Sequence, residues 1–289
     1  SIDDGEVAGD PGRDGGAAPT PRGTRWAAGL ITAGAWVKVA PGALLLPLAA
    51  AARRPWRDVI APAAGVCAVV VGSVAAGGGA QNLLSFLSDQ GTRGLQVESV
   101  AASPWVIASL LTDAVQIHLN SELITYEITG PGTQVAASVL NLVLVLAVAA
   151  VGGVLVVARR RGVAAAAVLP ASLTLLTLLI VTNKVGSPQY VTWLAAPLTV
   201  LLATGPVRAH GRWCEVAVVV TLAAAFLTQS VFPWGYNALL TGSPVVAAAL
   251  VTRNALLVVV LGRGLAGLRS ALRVPGADRE PTALRSDAA

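Results

Sequence analysis

Apolar residues run in blocks of about 20 along this chain, and polar residues collect between the blocks rather than alternating within them. Six such blocks stand out, at 59–79, 134–158, 163–182, 189–204, 214–231 and 244–262. About 20 apolar residues in a helix cross a hydrocarbon core of roughly 30 Å. No run of about ten alternating residues suggests a membrane strand. Since only helices and closed barrels satisfy their backbone polar groups in lipid, the pattern predicts an all-α, polytopic transmembrane bundle.

A seventh stretch, WAAGLITAGAWVKVAPGALLLPLAAAA at 26–52, carries Lys38 near its middle. As one span it would bury that lysine and place Arg13, Arg22 and Arg25 on the side opposite to the other basic clusters. Two short helices turning near Lys38–Pro41 avoid both problems. Each arm, of about 12–15 residues, rises about 20 Å, and proline interrupts the helical ladder where the turn is needed. The basic clusters at Arg53–Arg57, Arg159–Arg161, Arg208–Arg212 and beyond Arg263 then share one side, which the positive-inside rule makes cytoplasmic. Lys38, Arg93, Lys184 and Arg253 remain as exceptions.

Composition supports the membrane reading. Of 289 residues, 55% are hydrophobic and 12% charged, with a mean hydropathy of +0.70, whereas soluble domains carry about 25% charged residues. Residues 1–25 are acidic and Gly/Pro-rich at their start and read as a flexible cytoplasmic linker. Residues 26–268 read as the transmembrane domain, and 269–289 as a disordered tail. The chain starts with Ser and has no Met, which suggests a fragment of a longer protein. Two cysteines, Cys67 and Cys214, offer no disulfide or metal spacing. No metal or other cofactor and no nucleic-acid partner is expected.

The segment 80–133 faces outward in this topology, with interfacial helices expected over 82–119. It holds Asp89, Glu98, Asp113, Glu122 and Glu127 against the single cation Arg93. The short sequence NKVGSPQY, at 183–190, falls on the same side, and the hairpin brings Lys38 to a similar depth. Lys38, Arg93 and Lys184 thus gather against the topological preference at the outer surface. Charged groups there are costly and mark functional sites, and a lipid-linked phosphate at headgroup level would meet them. Each also reads as a snorkelling residue or as the partner of a nearby acid, Arg93 with Glu98 for example. Glu98 and His118 are candidates for acid–base work, although Glu98 also fits a ligand to a sugar hydroxyl and His118 an ordinary interfacial position. Arg253 reads as a packing or lipid-facing residue as readily as a catalytic one.

WVKVAPGALLLPL, RGLQVESV and NKVGSPQYVTWLAAPL resemble, in this order and spacing, the later half of the family 87 glycosyltransferases. These are membrane enzymes with the GT-C fold that use polyprenyl-phosphate mannose, together with related arabinosyltransferases. The matching positions are Lys38 and Pro41; Arg93, Gln96, Glu98 and Ser99; and Asn183, Lys184, Ser187, Pro188, Gln189 and Tyr190. The resemblance implies transfer of a sugar, mannose first, from a polyprenyl-phosphate donor to a lipid-linked or cell-envelope glycan acceptor at the outer leaflet of the plasma membrane. It implies substrate-binding roles for Lys38, Arg93, Gln96, Glu98, Ser99, Asn183, Lys184, Gln189 and Tyr190, and membrane lipids as partners. The family's catalytic aspartate lies in its first outward loop, which has no counterpart before Trp26, so the base is expected upstream of residue 1. Gly186 stands where the family more usually has a larger apolar residue. A transporter would also bury cations, but it usually shows inverted repeats, and none is visible here. A non-catalytic scaffold is the reading left if no catalytic half precedes this chain.

Overall fold

The computed structural model describes residues 20–83, 93–205 and 210–274. Residues 1–19 of the linker expected over 1–25, residues 84–92 with Asp89, residues 206–209 with Arg208, and the part of the expected tail from 275 onward lie outside them. Helix α1 (Pro21–Val37) begins earlier than the expected linker boundary at 25. Thr20 caps it, its hydroxyl accepting from Gly23 N at 3.2 Å, and Pro21 fills the first turn, where a missing N–H is harmless. The helix stops at Lys38, which is extended, and a 3₁₀ turn (Ala40–Leu44) leads into α2 (Leu45–Ala51). Residues 26–52 therefore form a hairpin with Lys38 at its turn.

A wide turn at Trp56–Ile60 opens α3 (Ala61–Ala76). The loop that follows contains α4 (Ser103–Ala108) and an antiparallel pair, β1 (Gln116–Asn120) and β2 (Thr125–Thr129), in which His118 lies opposite Glu127. The interfacial helices expected over 82–119 are thus confined, among the described residues, to short turns and α4, and the part at 116–119 is a strand. Long helices α5 (Thr133–Arg160) and α6 (Ala164–Val181) come next. A 3₁₀ segment, Pro188–Leu194, runs into α7 (Ala195–Ala203). Helix α8 (Arg212–Gln229) continues through a wide turn to Trp234, and α9 (Tyr236–Leu240) and α10 (Pro244–Ala271) complete the described chain.

Among the described residues, five helices are long and apolar enough to cross a membrane: Trp56–Ala76, Thr133–Arg160, Ala164–Val181, Arg212–Trp234 and Pro244–Ala271. The chain is an all-α multi-pass membrane protein. The sixth span expected at 189–204 is not among the five, because its first half is 3₁₀. That stretched geometry gains length: at about 2.0 Å per 3₁₀ residue and 1.5 Å per α residue the combined element rises roughly 27 Å, close to a bilayer core of about 30 Å.

Helix α6 is the axis of the bundle. Its most apolar window is 67% buried, against 6% for the peripheral span at 56–76. Its hydroxyls satisfy themselves within the helix: Ser172, Thr174, Thr177 and Thr182 each donate to the carbonyl four residues back, at 2.7–2.8 Å. Helix α10 lies close against α6 and α8 through two glycines. A Cβ at Gly264 would stand 2.7 Å from Thr174 Oγ1, and one at Gly267 would stand 2.7 Å from the Trp213 ring. Small residues at such contacts allow the dispersion packing that holds helices together in lipid.

The bundle has two unlike ends. At one, Arg159 reaches the end of α2 and donates to the carbonyls of Ala49, Ala50 and Ala52 at 3.2, 2.8 and 2.7 Å, capping that helix. Arg25 pairs with Asp58 there at 2.9 Å. At the other end lie the hairpin turn at Lys38, the 93–132 loop, the 183–187 turn and the 230–243 segment.

Candidate functional site

The loop end is built from extended segments laid side by side. The motif RGLQVES supplies the middle one. Val97 N donates to Tyr126 O at 3.1 Å, Ile128 N donates to Leu95 O at 2.9 Å, and Gln96 bridges to Glu127. On the other flank Gln96 N donates to Lys184 O at 3.0 Å, and the Gln96 side-chain oxygen accepts from Gly186 N at 3.1 Å. Alternation along an extended chain sends Leu95 and Val97 into the apolar cluster with Val106, Ile128 and Leu250. It leaves Gln96 and Glu98 facing a cleft.

Gly186 makes this joint possible. A Cβ there would collide with the peptide between Glu98 and Ser99. Gly186 is thus the point where the two loops touch.

The cleft, of about 500 Å³, is lined by the polar residues Lys38, Arg93, Glu98, Gln189 and Tyr190 and also by Ile124, Tyr126, Phe232 and Tyr236. Lys38 Nζ lies over the Tyr190 ring, 4.8 Å from its centroid, and 5.9 Å from that of Trp193. Those two rings stack at 4.3 Å. The aromatic pair holds the ammonium by cation–π attraction, so Tyr190, itself buried, positions Lys38. Arg93 is half-buried, and its Nε has no partner. No salt bridge joins it to Glu98.

Glu98 is 7% exposed, and its Oε1 lacks a hydrogen-bond partner. Burial pushes its carboxyl up to about 7, against the lowering pull of Arg253. Beneath it, Arg253 is only 2% exposed, which excludes the lipid-facing role. Its Nη1 donates to Glu98 O at 3.3 Å and to Asn254 Oδ1 at 2.8 Å, while its Nε and Nη2 are unpartnered. Asn254 Nδ2 in turn donates to Ser99 O at 3.2 Å and Ser103 Oγ at 2.8 Å. Helix α10 therefore fixes the Glu98–Ser99 loop from below.

Several expected ligands are occupied in holding the loops. Ser99 Oγ accepts from Ala102 N at 3.2 Å, and Asn183 Oδ1 accepts from Val185 N at 2.9 Å. His118 is exposed on β1 and does not line the cleft. The span expected at 163–182 ends as a helix at Val181, and Ser187 is extended before Pro188, as the residue preceding proline favours.

Lys184 is separated from Lys38. It is 5% exposed and lines a second cleft of about 320 Å³ together with Arg93 and Glu127. Arg93 lines both clefts, so the three exceptional cations meet as two pairs that share it. Burial holds the Lys184 ammonium below the usual lysine range; Glu127 opposes that shift and Arg93 adds to it. Glu127 also accepts from Gly94 N at 3.1 Å. It is the group that sequence reasoning passed over, although the alternation Tyr126–Glu127–Ile128 was available as a strand signal. Among the described residues no group of His, Cys, Asp or Glu could hold a metal ion.

No curated protein and no solved structure matches the chain. The model of glycosyltransferase family 87 matches residues 15–182, more than half of its length. This chain belongs to glycosyltransferase family 87.

Proposed function

We propose that this membrane glycosyltransferase moves a sugar, mannose first, from a polyprenyl-phosphate donor to a lipid-linked or cell-envelope glycan acceptor, at the outer leaflet of the plasma membrane. The observation that carries the proposal is the first cleft, whose lining brings Lys38 and Arg93 together with the buried Glu98. In the transfer, an acceptor hydroxyl oxygen attacks the anomeric carbon as the bond from that carbon to the phosphate oxygen breaks. The lipid phosphate leaves with the electron pair, and the hydroxyl proton passes to a carboxylate base. Fixed cations aimed at the departing oxygen stabilise the charge that grows there. Lys38, held on its aromatic pair, and Arg93, with an unpartnered Nε, supply that charge. Glu98, which lines the cleft, accepts a hydrogen bond from a sugar hydroxyl.

The outward orientation is supported by the arginines at the opposite end of the bundle. Reconstituted protein offered polyprenyl-phosphate mannose, polyprenyl-phosphate arabinofuranose and a nucleotide sugar tests the reading. Consumption of the mannose lipid is expected. Consumption of the arabinofuranose lipid alone would change the sugar, and use of the nucleotide sugar alone would refute the donor class.

A further inference from the structure

Helix α5 carries a polar stripe that the donor cleft does not use. Gln134, Ser138 and Asn141 fall at i, i+4 and i+7, one face of the helix, in a span that is otherwise apolar from Val135 to Ala158. Asn141 lies eight residues past Thr133, about 12 Å along the axis. Amides set against hydrocarbon are costly. Here all three residues line the second cleft, beside Glu127 and Lys184. The Gln134 and Asn141 amides engage no protein partner among the described residues.

The chemistry of this cleft differs from that of the first. An amide both donates and accepts, as does each hydroxyl of a sugar, and a carboxylate has spare acceptor sites beyond the one given to Gly94 N. The same carboxylate repels phosphate and offsets Lys184. We propose that the second cleft takes a hydroxyl-rich head group, the saccharide of a lipid-linked acceptor, with Gln134 and Asn141 reading its hydroxyls, while the Ser138 hydroxyl donates to Gln134 O at 3.0 Å. Arg93, which lines both clefts, then stands between this saccharide and the donor phosphate. The identity of the occupant as acceptor rests on the donor reading of the first cleft.

Two probes separate the two assignments. Protein in phosphatidylcholine nanodiscs is titrated with octyl α-mannoside and, separately, with octyl phosphate. Combined Gln134→Leu and Asn141→Leu substitution is expected to weaken the mannoside tenfold or more and to leave octyl phosphate within twofold, which also shows that the variant is folded. Lys38→Ala is expected to do the reverse. Unchanged mannoside binding in the double variant would overturn the proposal, and so would loss of octyl phosphate in its place. Octyl phosphate binding that ignores Lys38→Ala would refute the donor reading while leaving the mannoside result to decide this one.

Discussion

The two ends of the bundle treat charge in opposite ways. At the arginine end, Arg53, Arg54, Arg57, Arg160 and Arg161 are exposed, Arg159 caps the last carbonyls of α2, and the buried Asp58 is paired with Arg25. At the loop end Glu98, Glu127, Lys184 and Arg253 are each 7% exposed or less. Exposed charges tolerate replacement, because water and headgroups satisfy them whatever their neighbours. Buried charges depend on fixed neighbours, so the loop end is the costly part of the molecule, and it is also where the clefts lie. The difference separates residues that orient the protein from those that can perform chemistry.

The sharpest way to break this contrast is at the joint between the loops. Gly186→Val drives a side chain into the Glu98–Ser99 peptide and should destabilise the protein by roughly 3 kcal/mol or more, with transfer lost. Thermal unfolding in detergent checks it, and a melting temperature unchanged from the parent would mean that the two loops part freely. Gly262, whose Cβ would meet nothing within 4 Å, is the matched control, and Gly262→Ala should be neutral.

The next effect is a pH dependence. Glu98 is held at about 7 against an ordinary 4.5. Between those values the folded protein keeps a proton that the unfolded chain releases, so stability falls as pH rises through the window and the loss is complete above it. The size is on the order of 3 kcal/mol. Glu98→Gln should flatten the dependence between pH 4.5 and 7. An equal slope in variant and parent would show that Glu98 is not the group responsible.

A smaller effect is expected from Lys38→Ala. Loss of a charge-assisted contact worth about 1.5–3 kcal/mol slows transfer roughly 10- to 150-fold if the contact forms mainly in the transition state. Lys38→Arg should do less harm, since the aromatic pair also accepts a guanidinium. Rates within twofold of the parent for Lys38→Ala would reduce the lysine to a cap on the hairpin turn. The smallest effect belongs to the other end. Arg54→Ala, at an exposed position, should shift stability by about 0.5 kcal/mol or less, as chemical denaturation would show.

The spans were legible because a run of apolar residues about 20 long has few alternatives, and the hairpin because Lys38 and Pro41 break such a run. The strands were harder to read. In ASLLTDAVQIHL the apolar positions fit a helical face as well as an alternating one, and five residues are too few to decide between them. The pairing of 116–120 with 125–129 also depends on contacts across the turn. Within the site, residue types indicated which side chains were chemically able to bind a ligand. They could not show which were already occupied. Asn183 and Ser99 satisfy nearby backbone N–H groups, a common use of short polar side chains. Glu127 needed β2 to bring it beside Arg93 and Lys184. The start of α1 was signalled by Thr20–Pro21 and obscured by the glycine-rich residues before it.

The central claim is that the loop end faces outward and holds the lipid-linked donor. Gln189 is exposed and lines the first cleft, so a single cysteine at Gln189, with Cys67 and Cys214 replaced by serine, reports on both parts. A membrane-impermeant maleimide should label it in intact cells, and added polyprenyl-phosphate mannose should slow the labelling. Labelling only after the cells are opened, or at a rate indifferent to the lipid, would contradict the claim.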